Sequence, residues 1–179
     1  MFPMLRQILR TGIVSEPAPA VDDALRATTQ RLSDAVTKQL GRALVIRHID
    51  AGSCNGCELE INALSNPYYN LEASGIKFAA SPRHADLLLV TGPVAKNMEV
   101  ALKRAYAATP EPKLVVAAGD CGCTGGIFGE SYASCGRVAN VIPVDVSIPG
   151  CPPTPLQLMQ GILAAIAPAI KRADSANKS

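Results

Sequence analysis

Apolar residues along this chain gather in short runs at 43–49, 76–80, 86–91, 113–118 and 141–147. Runs of that length, rich in Val, Ile and Leu and bounded by Gly, Pro, Ser or Asp, predict buried β-strands. Between them the spacing turns helical. Over 21–40, Val21, Leu25, Leu32, Val36 and Leu40 fall near one face, and Gly41 can end the helix. Shorter helices are predicted at 58–65, 96–108 and 125–136. A last helix starts at Thr154 as N-cap, with Pro155 in the first helical position. Leu156, Met159, Ile162, Leu163, Ile166 and Ile170 continue it toward Lys171 and Arg172, whose charge suits a helix C-terminus.

Strands alternating with helices predict an α/β fold with an open, mostly parallel sheet and helices on both faces. In such sheets ligands sit outside the carboxyl ends of the strands. The single domain is expected over 21–172, with an N-terminal arm at 1–20 and a polar tail at 173–179. Pro17 and Pro19 would interrupt any helix in the arm. Met4, Leu5, Ile8 and Leu9 form a short apolar face there, belonging either to a poorly ordered terminus or to a segment that docks on a partner or a membrane surface.

Composition narrows the function classes. With 179 residues, 48% hydrophobic and 18% charged, the chain can bury a core and is not of the disordered type. A net charge of +2, no Trp and 4% aromatics exclude a nucleic-acid binder as the main reading. The start, MFPMLRQILRTGIV, is split by Arg6 and Arg10 and is not expected to be a secretion signal. No stretch reaches about 18 uninterrupted apolar residues, the length that marks a transmembrane helix. A cytoplasmic setting is therefore expected, and it turns the six cysteines away from disulfides and toward metal binding or chemistry.

The cysteines fall where the strands end. Cys54 and Cys57 follow the first strand in DAGSCNGCELE, Cys121 and Cys123 follow a later one in AAGDCGCTGG, and Cys151 follows the last in IPGCPPTP. On a parallel sheet these loops emerge at one edge, so residues distant in sequence can converge. A cubane cluster needs four thiolates around one centre, and C-x-x-C supplies two from one turn. Neighbouring glycines let the backbone approach and aim N–H groups at sulfur. Rival readings are a thioredoxin-like redox pair and a structural zinc site. Zinc usually takes two closely spaced pairs, whereas here one C-x-x-C joins two distant, Gly-flanked cysteines. Cys123 can replace Cys121 in the set, or be an inert buried thiol like Cys135. The run G-D-C-G-C-T-G-G lacks the Lys of a P-loop, and no G-x-G-x-x-G follows the first strand, so nucleotide binding is rejected.

Taken together, C-N-G-C-E-L-E, S-P-R-H-A-D, G-D-C-G-C-T-G-G-I-F and V-I-P-V-D-V-S-I-P-G-C-P-P-T-P closely resemble the small subunit of membrane-bound, energy-converting NiFe hydrogenases of the formate hydrogenlyase type. They also resemble the homologous 20 kDa subunit of respiratory complex I. The resemblance runs from about Leu44 to Ile166. It implies a flavodoxin-like domain with one proximal 4Fe–4S cluster, held by Cys54, Cys57, Cys121 and Cys151. It also implies a subunit of an oxidoreductase complex, not catalytic alone. The implied partners are a NiFe large subunit (counterpart of the complex I 49 kDa subunit), a ferredoxin-like iron–sulfur subunit and membrane-embedded subunits. The implied place is the cytoplasmic side of the membrane, bound peripherally. Complex I relatives carry adjacent cysteines in the first motif. The two residues between Cys54 and Cys57 match the hydrogenase branch. Cys123 departs from the family pattern.

Other polar residues have simpler expectations. Glu58 and Glu60 cap a helix or face solvent, with proton relay as the functional alternative. Arg83 and His84 belong to a solvated loop, or contact a partner or tune a cluster. His48 is a hydrogen-bonded strand residue, Asp50 and Asp120 shape turns, and Tyr68 and Tyr69 lie on a surface turn.

Overall fold

The computed structural model describes residues 2–12, 20 and 22–176. Val21, Pro17, Pro19 and the end of the polar tail at 177–179 lie outside the described residues, as do the side chains of Leu40, Ile170, Lys171 and Arg172. Among the described residues six α-helices and five strands follow one another: α1 Phe2–Thr11, α2 Asp23–Leu40, β1 Leu44–Asp50, α3 Gly56–Ala63, β2 Ile76–Phe78, β3 Leu87–Thr91, α4 Lys96–Ala108, β4 Leu114–Ala118, α5 Gly119–Thr124, β5 Val146–Ile148 and α6 Pro155–Ala176. All strand pairs are parallel, in the order β2-β1-β3-β4-β5. This is the flavodoxin-like arrangement, whose order reverses between β1 and β3.

Period-2 alternation splits the apolar strand residues between two cores. Leu44, Ile46, Leu87, Leu89, Val116 and Ile148 pack with α2, α3 and α6 on one face. Leu88, Val90, Val115 and Ala117 pack with Leu102 of α4 and with Val138 and Ile142 on the other. Because both faces are covered, the strands read as continuous apolar runs rather than alternating ones. Gly161 on α6 is pressed against the sheet: a Cβ there would lie 2.2 Å from Cδ1 of Ile148.

The helix ends follow their chemistry. Asp22 caps α2 by accepting from the Ala24 N–H at 3.1 Å, and Gly41 closes it at φ 58. At α6 the expected Thr154 cap is present and is completed by Gln157. The Gln157 N–H donates to Thr154 Oγ1 at 3.3 Å, and the Thr154 N–H donates to Gln157 Oε1 at 2.8 Å.

Three elements differ from the sequence expectation. The helix expected at 125–136 is absent, and a short helix, α5, forms instead on the cysteine motif before it. Gly125, Gly126, Gly129 and Gly136 all take positive φ, which a right-handed helix cannot contain. The last strand is shorter and later than 141–147. Pro143 has no N–H for a ladder, and pairing begins only at Val116↔Val146. In the N-terminal arm, α1 is a helix that stops at Gly12, before Pro17 and Pro19.

Candidate metal centre

The strands finish level with one another. Asp50 pairs with Thr91, Thr91 with Ala118, and Ala118 with Ile148, so four loops leave the carboxyl edge from one row. Those after β1, β4 and β5 carry cysteines; the β3 loop, through Gly92, lies between them.

Each cysteine loop is shaped by an aspartate. Asp50 accepts from the N–H groups of Gly52 and Ser53, both at 2.8 Å, and turns the chain out of β1. Burial opposes its ionisation, but the N–H donors of Ser53 and Gly52 outweigh it and hold the carboxyl below its ordinary range. Asp120 does something a local turn does not. Its Oδ1 accepts from the Gly150 N–H at 2.7 Å, and its own N–H donates to the Gly150 carbonyl at 2.8 Å. This reciprocal pair binds the Cys121 loop to the Cys151 loop across 30 residues.

Close backbone approaches join the remaining loops. A Cβ on Gly119 would lie 2.5 Å from the Cys57 sulfur, and φ at Gly119 is 84°, so only glycine suits this point where the β1 and β4 loops meet. At Gly126, φ 56°, a Cβ would meet the Cys121 sulfur at 2.7 Å. Gly56 approaches both the Cys54 sulfur and Pro152, which brings the β1 loop against the β5 loop.

The thiols of Cys57 feels Cys54, Cys121 and Cys151 through space, and Cys121 feels Cys54 and Cys151. Burial first, then the negative charge of Glu58, Cys54, Cys121 and Cys151, pushes the Cys57 thiol up to about 12. Cys121 is also raised, by burial and then by Cys151, Cys54 and Asp120. Thiolates crowded in this way need positive charge among them. An iron–sulfur centre supplies it, and a four-thiolate donor set fits that group. Among the described residues, no three His, Cys, Asp or Glu side chains sit as ligands of a single metal ion. Cys54 and Cys151 are exposed, and Cys57 and Cys121 half-buried.

Cys123 is not part of this group. Two positions along α5 it projects to the other side, as i and i+2 residues of a helix do. Its Sγ lies 3.6 Å from the Ala117 carbonyl and packs with the second core. Burial raises its pKa, against hydrogen bonding from Ser147 and Ile148. Cys135 is also apart, with Sγ 3.4 Å from Glu99 Oε2.

Glu58, the residue after Cys57, is buried at 8% exposure and neither faces solvent nor caps α3. It accepts hydrogen bonds from Ser53 Oγ at 2.6 Å and from Thr91 Oγ1. His48 Nε2 stands 3.1 Å from Thr91 Oγ1 and 3.6 Å from Glu58 Oε1. Burial lowers the His48 pKa, partly countered by Glu58 and Asp50. Sequence reasoning missed Thr91 and Ser53; an isolated Thr at a strand end and a Ser before a C-x-x-C carried no distinguishing signal. Glu60 is half-buried, and Arg83 and His84 sit exposed on a single turn capped by Ser81. Tyr68 and Tyr69 stack edge to face at 5.0 Å. Beyond Cys121 the chain exposes Ile127, Phe128 and Tyr132.

Cysteine loops gathered on the carboxyl edge of a flavodoxin-like sheet define a class of α/β domain that presents a thiolate centre at its surface. The chain belongs to the family described as NADH ubiquinone oxidoreductase, 20 Kd subunit, whose profile matches residues 54–165. It is 45% identical over 129 residues to the probable membrane-bound hydrogenase subunit mbhJ of Pyrococcus furiosus, covering 72% of this chain and 77% of that one. It is 40% identical over 151 residues to formate hydrogenlyase subunit 7 of Escherichia coli, covering 84% of this chain and 58% of that subunit. Over 107 residues it is 45% identical to an NADH-quinone oxidoreductase subunit of Desulfovibrio desulfuricans, covering 60% of this chain and 58% of that one. Among solved structures, it is similar to a chain of the membrane-bound sulfane sulfur reductase, an archaeal respiratory membrane complex. There the TM-score is 0.62 and the identity 34%, over 77% of this chain and 75% of that chain.

Proposed function

We propose that this chain is a one-electron relay subunit of a membrane-associated oxidoreductase complex, holding one 4Fe–4S cluster on Cys54, Cys57, Cys121 and Cys151. The observation that carries this reading is the mutual reach of those four thiols at one edge of the sheet, with Cys123 turned into the core. When bound, the cluster supplies reversible one-electron chemistry. The chain's own residues do the rest. Four thiolates bind, Asp50 and Asp120 hold the loops that carry them, and Gly119 and Gly126 keep the backbone clear of sulfur. The exposure of Cys54 and Cys151 leaves the centre open to a docked neighbour.

In this reading electrons pass from a ferredoxin-like subunit to the NiFe site of a large subunit, beside membrane-embedded subunits and on the cytoplasmic side. The two residues between Cys54 and Cys57 support the hydrogenase branch, as does the similarity to hydrogenase and formate hydrogenlyase subunits. A second reading, electron delivery to quinone, is favoured by the 45% identity to the NADH-quinone oxidoreductase relative. Metal analysis of anaerobically purified protein tests the centre: about four iron and four sulfide per chain is expected, and one zinc per chain overturns it. Hydrogen evolution by the purified complex, with nickel in its large subunit, selects the first branch; quinone reduction without nickel selects the second.

A further inference from the structure

Helix α1 is out of place on a surface that meets only water. Every residue from Pro3 to Gly12 is exposed, including Met4 at 69%, Leu5 at 57%, Ile8 at 61% and Leu9 at 78%. At 100° per residue these four cover an arc of roughly 140°. Arg6 and Arg10 lie together just beyond its edge, and Gln7 and Thr11 occupy the far side. The helix contains no acidic residue.

A helix of 10 residues is marginal in water on its own. This one buries nothing against the rest of the chain, so a surface outside the chain must cover its apolar face. Its length, about 15 Å at 1.5 Å per residue, is half the ~30 Å of a bilayer core, so it cannot cross. An apolar arc bordered by cations with long stems is instead the pattern of a helix lying in the headgroup layer. There Arg6 and Arg10 reach up to phosphates while Met4, Leu5, Ile8 and Leu9 enter the acyl boundary.

We infer that α1 is an in-plane anchor that binds this chain directly to an anionic lipid surface. The inference is independent of the cluster assignment, because α1 carries none of the cysteines.

Flotation of the full chain with vesicles tests it. Binding to phosphatidylcholine vesicles containing phosphatidylglycerol should exceed binding to phosphatidylcholine alone by roughly thirtyfold, the contribution expected of two cations at an anionic surface. Raising the salt should shrink that ratio. Ile8→Glu, in the middle of the apolar arc, should abolish binding to both. The double change Arg6→Gln and Arg10→Gln should lower phosphatidylglycerol binding to the phosphatidylcholine level. Iron content should stay at its wild-type value in every variant, which separates this test from that of the relay reading. Failure of the wild-type chain to bind either vesicle overturns the inference. So does equal binding by wild type and Ile8→Glu. If vesicle binding is absent but Ile8→Glu releases the chain from its purified complex, a protein subunit covers the face and the lipid anchor is wrong.

Discussion

At the amino edge of the sheet, Asp86 and Asp145 stand just before β3 and β5. Asp86 accepts from the Val45 N–H at 3.0 Å while its own N–H donates to the Val45 carbonyl. Asp145 makes the same pair of bonds with Val115, its carboxylate receiving the N–H at 2.8 Å. Arg42 then covers Asp86 at 2.6 Å. At the carboxyl edge, Asp50 and Asp120 use the same carboxylate-to-N–H bond, but on loops. The first pair extends the ladder by one rung and closes the sheet. The second holds chain that has left the sheet, and holds it so that sulfur, not backbone, faces outward. One side chain thus serves stability at one edge and site geometry at the other, and only its partner tells them apart.

The largest expected effect lies among the cysteines of the carboxyl edge. Serine at Cys54, Cys57, Cys121 or Cys151 should each remove most of the bound iron and its visible absorption. Cys123→Ser should leave both at wild-type levels, since its sulfur faces the Ala117 carbonyl. An equal loss from Cys123→Ser would contradict the separation of the two thiols on α5.

Next comes Gly119→Ala, which sets a methyl 2.5 Å from the Cys57 sulfur at a φ that alanine resists. Iron loading should fall severalfold or more, with the far edge undisturbed.

A matched pair of changes addresses the edges directly. Asp120→Ala and Asp145→Ala each remove one carboxylate-to-backbone bond, a loss of about 1–2 kcal/mol in denaturant unfolding. Only Asp120→Ala should also speed iron loss to a chelator, because only Asp120 joins two cysteine loops. Identical chelator kinetics for the two variants would erase the distinction between the edges.

The smallest effect concerns His48. Its folded pKa lies below the ordinary 6.5, with burial the leading cause. As pH falls through the window just beneath 6.5, the unfolded chain takes up the proton first. The stability that neutral His48 contributes is therefore full above that window and is lost below it. Unfolding free energy should decline on acidification in the wild type, and less steeply in His48→Gln.

Much of the fold was legible because strands buried on both faces must be apolar throughout. β1, β3 and β4 and helices α2, α4 and α6 form close to where their patterns predict them. The failures have a common cause. Between Cys121 and Val146 the chain is governed by positive-φ glycines and by Pro143, and apolar periodicity says nothing about backbone angles. In the arm, the prolines were read as excluding helix over the whole segment, although residues well before a proline are free to be helical.

The order of elements, the α/β class and the placing of cysteines just after strands are consequences of the amino-acid sequence alone. Burial pattern and turn chemistry are local, and each can be read within a dozen residues. The grouping of the thiols is not local. Strand order and a common finishing row bring three loops from across the chain together, and one helical turn at 119–124 sends Cys121 and Cys123 to opposite sides. The burial of Glu58 under Ser53 and Thr91 is of the same kind, because its partners come from other elements of the fold. Spacing names the candidate ligands; only the packed sheet edge determines which sulfurs face one another.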